Sequence, residues 1–128
     1  MTTATKQRPK YYDLNLAHLP PPGLVSIFHR VSGLLLFFPI VPALLYVLQG
    51  VLASEASFAG WHDFFSRPLV KVAALGALWL YAHHFWAGVR FLLIDLHYGV
   101  GKAAAGKTAL AVFALGILST LLIGWRLW

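Results

Sequence analysis

The stretch VSGLLLFFPIVPALLYVLQGVLAS, residues 31–54, decides the fold class, because its 24 residues contain no Lys, Arg, Asp or Glu. A bilayer core about 30 Å thick takes roughly 20 residues of helix, so this run is long enough to cross one. Pro39 and Pro42 lie inside it. They are expected to bend the helix rather than end it, since packing partners can satisfy the carbonyls a proline leaves free. Overlapping the start of the run is LVSIFHRVSG, residues 24–33, which sets Ser26, His29 and Arg30 at the threshold of the apolar region. Three polar side chains in that position need a chemical reason.

Two further uncharged runs follow, Val72–Val89 and Thr108–Trp125. Together they predict an all-α chain of three transmembrane helices with spans at about 31–54, 68–95 and 108–126. Residues 1–23 form an N-terminal segment, and 24–128 form the membrane domain, a helical bundle. EASFAGWHDFFSRP reads as the first loop, with Pro68 suited to opening the next helix. HYGVGKAAAGK reads as the second, broken by its glycines.

Composition agrees. The 128 residues are 59% hydrophobic and 11% charged, with a mean hydropathy of +0.72, too few polar residues to cover a soluble domain. The net charge of +6 does not point to nucleic acid, because the Lys and Arg residues fall between the apolar blocks. Lys6, Arg8, Lys10 and Arg30 precede or open the first span, and Arg90, Lys102 and Lys107 flank the second loop. The positive-inside rule then puts the N-terminus and second loop in the cytoplasm. Arg30 and the segment from Arg90 to Asp95 share that membrane face. The first 22 residues lack the apolar core of a cleavable signal peptide and are poor in Arg for a mitochondrial presequence, so a multi-pass protein of a bacterial inner membrane is expected. The chain has no cysteine, which excludes disulfides, cysteine-ligated iron–sulfur clusters and covalently attached haem.

The second span carries the pair His83–His84 inside its uncharged run, where polar side chains are rare and usually functional. Adjacent helical positions point about 100° apart, so only one of the two can serve a given site. His84, Gly88, Phe91 and Asp95 share a face, and Gly88 leaves room there for a flat ligand. Two readings of His84 stand: a hydrogen bond to a neighbouring helix, or an axial ligand to haem iron. His83, facing elsewhere, reads as a structural contact. His18, His62 and His97 fall in loops. His29, beside the interfacial Arg30, is expected to lie too shallow to meet an iron at the depth of His84 and is better placed for haem propionates. A second axial ligand would then come from another chain.

Ser26 lies one turn before Arg30 and presents its hydroxyl to the same face. A hydroxyl, a cation and the carboxylate of Asp95 at one apolar edge suit the carbonyl of a quinone, with Asp95 holding Arg30. The alternative is an Arg30 that reaches out to lipid phosphates.

Two segments together are similar to a known family. RPKYYDLNLAHLPPPGLVSIFHRVSG and HFWAGVRFLLID resemble the Arg-Pro, Ser-x-x-His-Arg-x-Ser/Thr-Gly and His-x-x-x-Gly-x-Arg-His/Phe patterns of the cytochrome b-type membrane anchors of succinate dehydrogenase, respiratory complex II. The resemblance implies that His84 is an axial ligand of haem b, the other being supplied by a second small membrane-anchor subunit. It implies Ser26, Arg30 and Asp95 at the ubiquinone site, and His29 and Arg30 near the haem propionates. An iron–sulfur subunit and a flavoprotein subunit would complete the assembly in membrane lipid. A fumarate reductase anchor and a haem-free structural anchor are the alternatives. Lys10, Phe91, Ile94 and His97 depart from the family pattern.

Overall fold

Three prolines, Pro20, Pro21 and Pro22, open the first helix. Pro20 is extended at the cap position (φ −65°, ψ 154°), and Pro21 takes the first helical position, where a missing N–H costs nothing and a fixed φ is already helical. In the computed structural model, which describes residues 16–127, a short 3₁₀ turn (Leu16–His18) precedes this helix. The family-like Arg8-Pro9 lies outside the described residues.

Helix α1 then runs unbroken over Pro21–Ala53, ten residues earlier than the apolar run alone suggests. Pro39 does not end it. The segment Leu36–Ile40 widens into one π turn, and the Val41 N–H reaches back to the carbonyl of Leu36. That spacing absorbs the proline ring, which would collide with the carbonyl four residues back in a regular helix.

The expected first loop is instead a helix, α2 (Glu55–Ser66). Ser54 is extended and caps it, its Oγ accepting from the Ser57 N–H at 3.1 Å. The Ser57 hydroxyl donates back to the Gly50 carbonyl at 2.6 Å, satisfying an end carbonyl of α1. Phe58, Trp61 and Phe65 recur at three- and four-residue spacing, the helical signal within this stretch. Trp61 packs directly onto Gly50, where a Cβ would overlap the indole Nε1.

Helix α3 (Pro68–Asp95) covers the residues expected for the second span, and α4 (Lys102–Leu127) starts six residues before those expected for the third. No strand occurs among the described residues. α3 and α4 pack along their length, with the first half of α1 across both; Val25, Ala87, Ala109 and Val112 form the buried core. Small side chains there bring the backbones close, the usual basis of helix association where lipid removes the hydrophobic driving force. Trp86 Nε1 donates to Ser119 Oγ at 3.0 Å across the α3–α4 seam. Most large apolar side chains face outward, as Leu69 does at 81% exposure. α1 and the Lys102–Arg126 stretch of α4 are each long and apolar enough to cross a bilayer.

α3 closes with the Tyr98 N–H on the Leu93 carbonyl (2.9 Å) and the His97 N–H on the Ile94 carbonyl (2.8 Å), a Schellman arrangement. The left-handed position falls on His97, at φ 65°, where a Cβ costs about 1–2 kcal/mol. His97→Gly is expected to stabilise the protein by about 1 kcal/mol, read as a higher midpoint of thermal unfolding in detergent.

Candidate functional site

His84 projects from α3 onto the face of α1 that carries His29, Ser32 and Gly33. Its imidazole stacks on that of His29, centroids 4.2 Å apart and planes 17° off parallel. His29 also meets Phe91 at 5.2 Å. The two histidines therefore lie at one depth, which corrects the expectation that His29 is the shallower. The reason is the early start of α1: by His29 the helix has already run two turns inward from Pro21.

The hydrogen bonds around His84 assign its tautomer. Nδ1 lies 3.1 Å from the His29 carbonyl oxygen, which can only accept, so Nδ1 carries the hydrogen. Ser32 Oγ gives its single hydrogen to the same carbonyl at 3.0 Å and accepts from His84 Nδ1 at 3.1 Å. Nε2 is left with its lone pair and no hydrogen bond among the described residues. A neutral imidazole whose far N–H is held by a backbone carbonyl is the arrangement that orients histidine for a metal. No group of three His, Cys, Asp or Glu that could hold an ion occurs among the described residues, so a metal on Nε2 needs its other ligands from elsewhere.

Gly33 makes the approach possible. A Cβ there would sit 2.9 Å from His84 Cε1, closer than side-chain carbons tolerate. Gly88 is different: a Cβ would meet only His29 Nε2, at an ordinary 3.8 Å, so its space is not demanded by the packing seen here. His83, one residue away, is fully buried among the rings of Phe28, Trp79 and Phe113. It faces the core and not the site.

Ser26 and Arg30 lie one turn apart on α1, Ser26 half-buried and Arg30 exposed. Asp95 is exposed at the end of α3. Both ends meet at one side of the bundle, where His29 reaches Phe91. Arg30 and Asp95 nevertheless make no ion pair among the described residues, and the expected clamp of one on the other is not formed in this chain alone.

Sequence reading missed Ser32 and Gly33 as working parts of the site, although both stand in the LVSIFHRVSG stretch. The available signal was Ser32 one turn after His29, on the same face. It also missed Arg90, which is 94% buried (6% exposed) rather than free at the edge. Gly33→Ala is expected to destabilise the fold by about 1–3 kcal/mol, because the backbone must move off a packed ring. Gly88→Ala should stay within about 1 kcal/mol of the parent. Thermal unfolding of the two variants side by side checks the contrast.

Residues 4–123 match the family described as succinate dehydrogenase/fumarate reductase transmembrane subunit, and the chain belongs to that family. It is 32% identical over 123 residues to a protein of Coxiella burnetii named succinate dehydrogenase cytochrome b556 subunit, covering 95% of this chain and 98% of that one. Proteins of the same name from Rickettsia felis (27%, 94% and 98% covered) and Paracoccus denitrificans (28%, 90% and 88% covered) are also similar.

Proposed function

We propose that this family member is the haem b-binding membrane anchor of a succinate dehydrogenase in a bacterial inner membrane. It spans the bilayer three times through α1, α3 and α4, with the N-terminus cytoplasmic. The aromatic-rich α2 lies at the opposite interface, where Trp and Phe side chains are favoured.

The observation that carries the reading is the His84 tautomer: Nδ1–H bound to the His29 carbonyl, Nε2 free. His84 would hold the haem iron through Nε2. His29 stacks on the His84 ring and is not placed to be the other ligand, which a second small anchor subunit would supply. When bound, haem b supplies a one-electron carrier in contact with this chain. Ser32 holds His84 in one tautomer and one rotamer. His29 and Arg30, on the same stretch of α1, face the propionates.

Ubiquinone binds at the edge formed by Ser26, Arg30 and Asp95. The Ser26 hydroxyl donates to a quinone carbonyl, and Arg30 sets positive charge where negative charge develops on reduction. Asp95, exposed at the end of α3, passes protons from the cytoplasm. Two electrons and two protons convert the quinone to the quinol. An iron–sulfur subunit delivers the electrons that a flavoprotein subunit takes from succinate. The absence of cysteine in this chain suits that division, since it leaves cluster ligation to others.

In the complex co-expressed with its partner subunits, His84→Leu is expected to abolish the b-type signal in a reduced-minus-oxidised spectrum. His83→Phe, which keeps a ring among rings, should leave that signal in place; equal loss in both variants would falsify the ligand assignment. Arg30→Gln or Ser26→Ala is expected to slow quinone reduction at least about tenfold, the loss of one hydrogen bond at the reacting carbonyl. Succinate oxidation by a soluble dye should continue at the parent rate. Unchanged quinone turnover in both variants places the quinone elsewhere.

A further inference from the structure

Among the described residues Arg90 is a buried cation without a counter-charge. Its side chain is 6% exposed, with Nε donating to Thr108 Oγ1 at 3.1 Å and Nη2 to the Ala105 carbonyl at 3.4 Å. Both acceptors are neutral. Thr108 Oγ1 in turn donates to the Ala105 carbonyl at 3.2 Å, which fixes the acceptors to α4. Nη1 has no acceptor, and none of Glu55, Asp63 and Asp95 forms an ion pair with Arg90 among the described residues. Taking a guanidinium out of water costs several kcal/mol even after relaxation, and neutral hydrogen bonds do not cancel the charge.

Among the described residues no carboxylate neutralises it, and the surroundings define the shape of a group that could. Arg90 lines a cavity of about 240 Å³ between α3 and α4, bounded also by Trp86, Leu93, Tyr98, Thr108 and Leu115. The cavity is polar at the loop end and apolar beyond it. Tyr98 stands at the loop end with 68% of its surface free, and Lys102 and Lys107 are exposed on the first turns of α4. From Arg90 the walls continue away from the loop past Val89, Trp86 and Leu115. The residues from Trp86 to Ile94 alone span about 12 Å of helix. A negative head on a long apolar tail matches both parts of this cavity. A carboxylate on a partner's helix matches only the first.

We propose that the α3–α4 groove binds an acidic phospholipid, its phosphate paired with Arg90 at the Tyr98 end and an acyl chain lying along Trp86 and Leu115. Guanidinium and phosphate pair through parallel N–H···O bonds, and the Lys102 and Lys107 charges favour an anion at the mouth. The inference rests on the membrane reading of the chain and is independent of the haem and quinone assignments.

The test uses the whole complex, purified in mild detergent, delipidated and placed in phosphatidylcholine bilayers with or without phosphatidylglycerol. Two variants are compared with the parent. Arg90→Gln removes the charge. Ala111→Phe fills the groove from an exposed position while leaving the Arg90–Thr108 bond in place. In the parent, phosphatidylglycerol is expected to raise the unfolding midpoint and to remain bound through purification. In both variants its apparent affinity should fall roughly tenfold, the loss of one charge-assisted contact or of the acyl seat. Equal retention in the parent and Ala111→Phe overturns the proposal. So does the same stabilisation by inorganic phosphate alone. Failure of Ala111→Phe to assemble with its partner subunits also overturns it, because the groove then holds a protein helix.

Discussion

A single carbonyl oxygen, that of His29, organises the meeting of α1 and α3. Besides its place in the α1 ladder it accepts from Ser32 Oγ and from His84 Nδ1. In a medium without water, a donor such as imidazole N–H must find its acceptor within the protein, and here that acceptor is backbone. The bond can form only if the helices approach closely, which Gly33 allows. Once formed it fixes which nitrogen of His84 bears the proton, how the ring is turned, and the depth at which α1 crosses α3. Ser26, about one turn before His29, and Arg30, the residue after it, inherit their position from that crossing.

The α3–α4 contact follows the same logic with different chemistry. Trp86 reaches Ser119 and Arg90 reaches Thr108, so the seam is pinned by two side-chain bonds with small residues packed between them. His83 is the exception. Its ring lies in a cage of aromatic rings and packs the seam as filling. Two adjacent histidines thus differ completely, and the difference is which helix each one faces.

Much of this was legible in the sequence because bilayer thickness imposes it. The uncharged runs located all three long helices, and the end of α3 at Asp95 fell where the charges predicted. The separation of His83 from His84 followed from helical geometry alone. What escaped has a physical cause in each instance. α2 was hidden because its aromatic residues alternate with Asp63, His62 and Ser57, which dilute the apolar signal, while its cap at Ser54 is a one-residue feature. The depth of His29 was misjudged because hydropathy marks where charge stops, not where a helix begins, and prolines started α1 ten residues sooner. The burial of Arg90 depends on Thr108 from another helix, a pairing that no periodicity within one helix encodes.

The π turn at Leu36–Ile40 inserts one residue into α1 without a matching advance along its axis. Every side chain after it is therefore rotated by about 100° relative to those before it. The N-terminal half of α1 shows His29, Ser32 and Gly33 to α3, and the C-terminal half shows Gly50 to Trp61. The π turn sets the angle between these two faces. Pro39 is thus a phase setter, coupling the angular position of one end of the molecule to that of the other, and a single inserted or deleted residue near it would undo one dock while preserving the other.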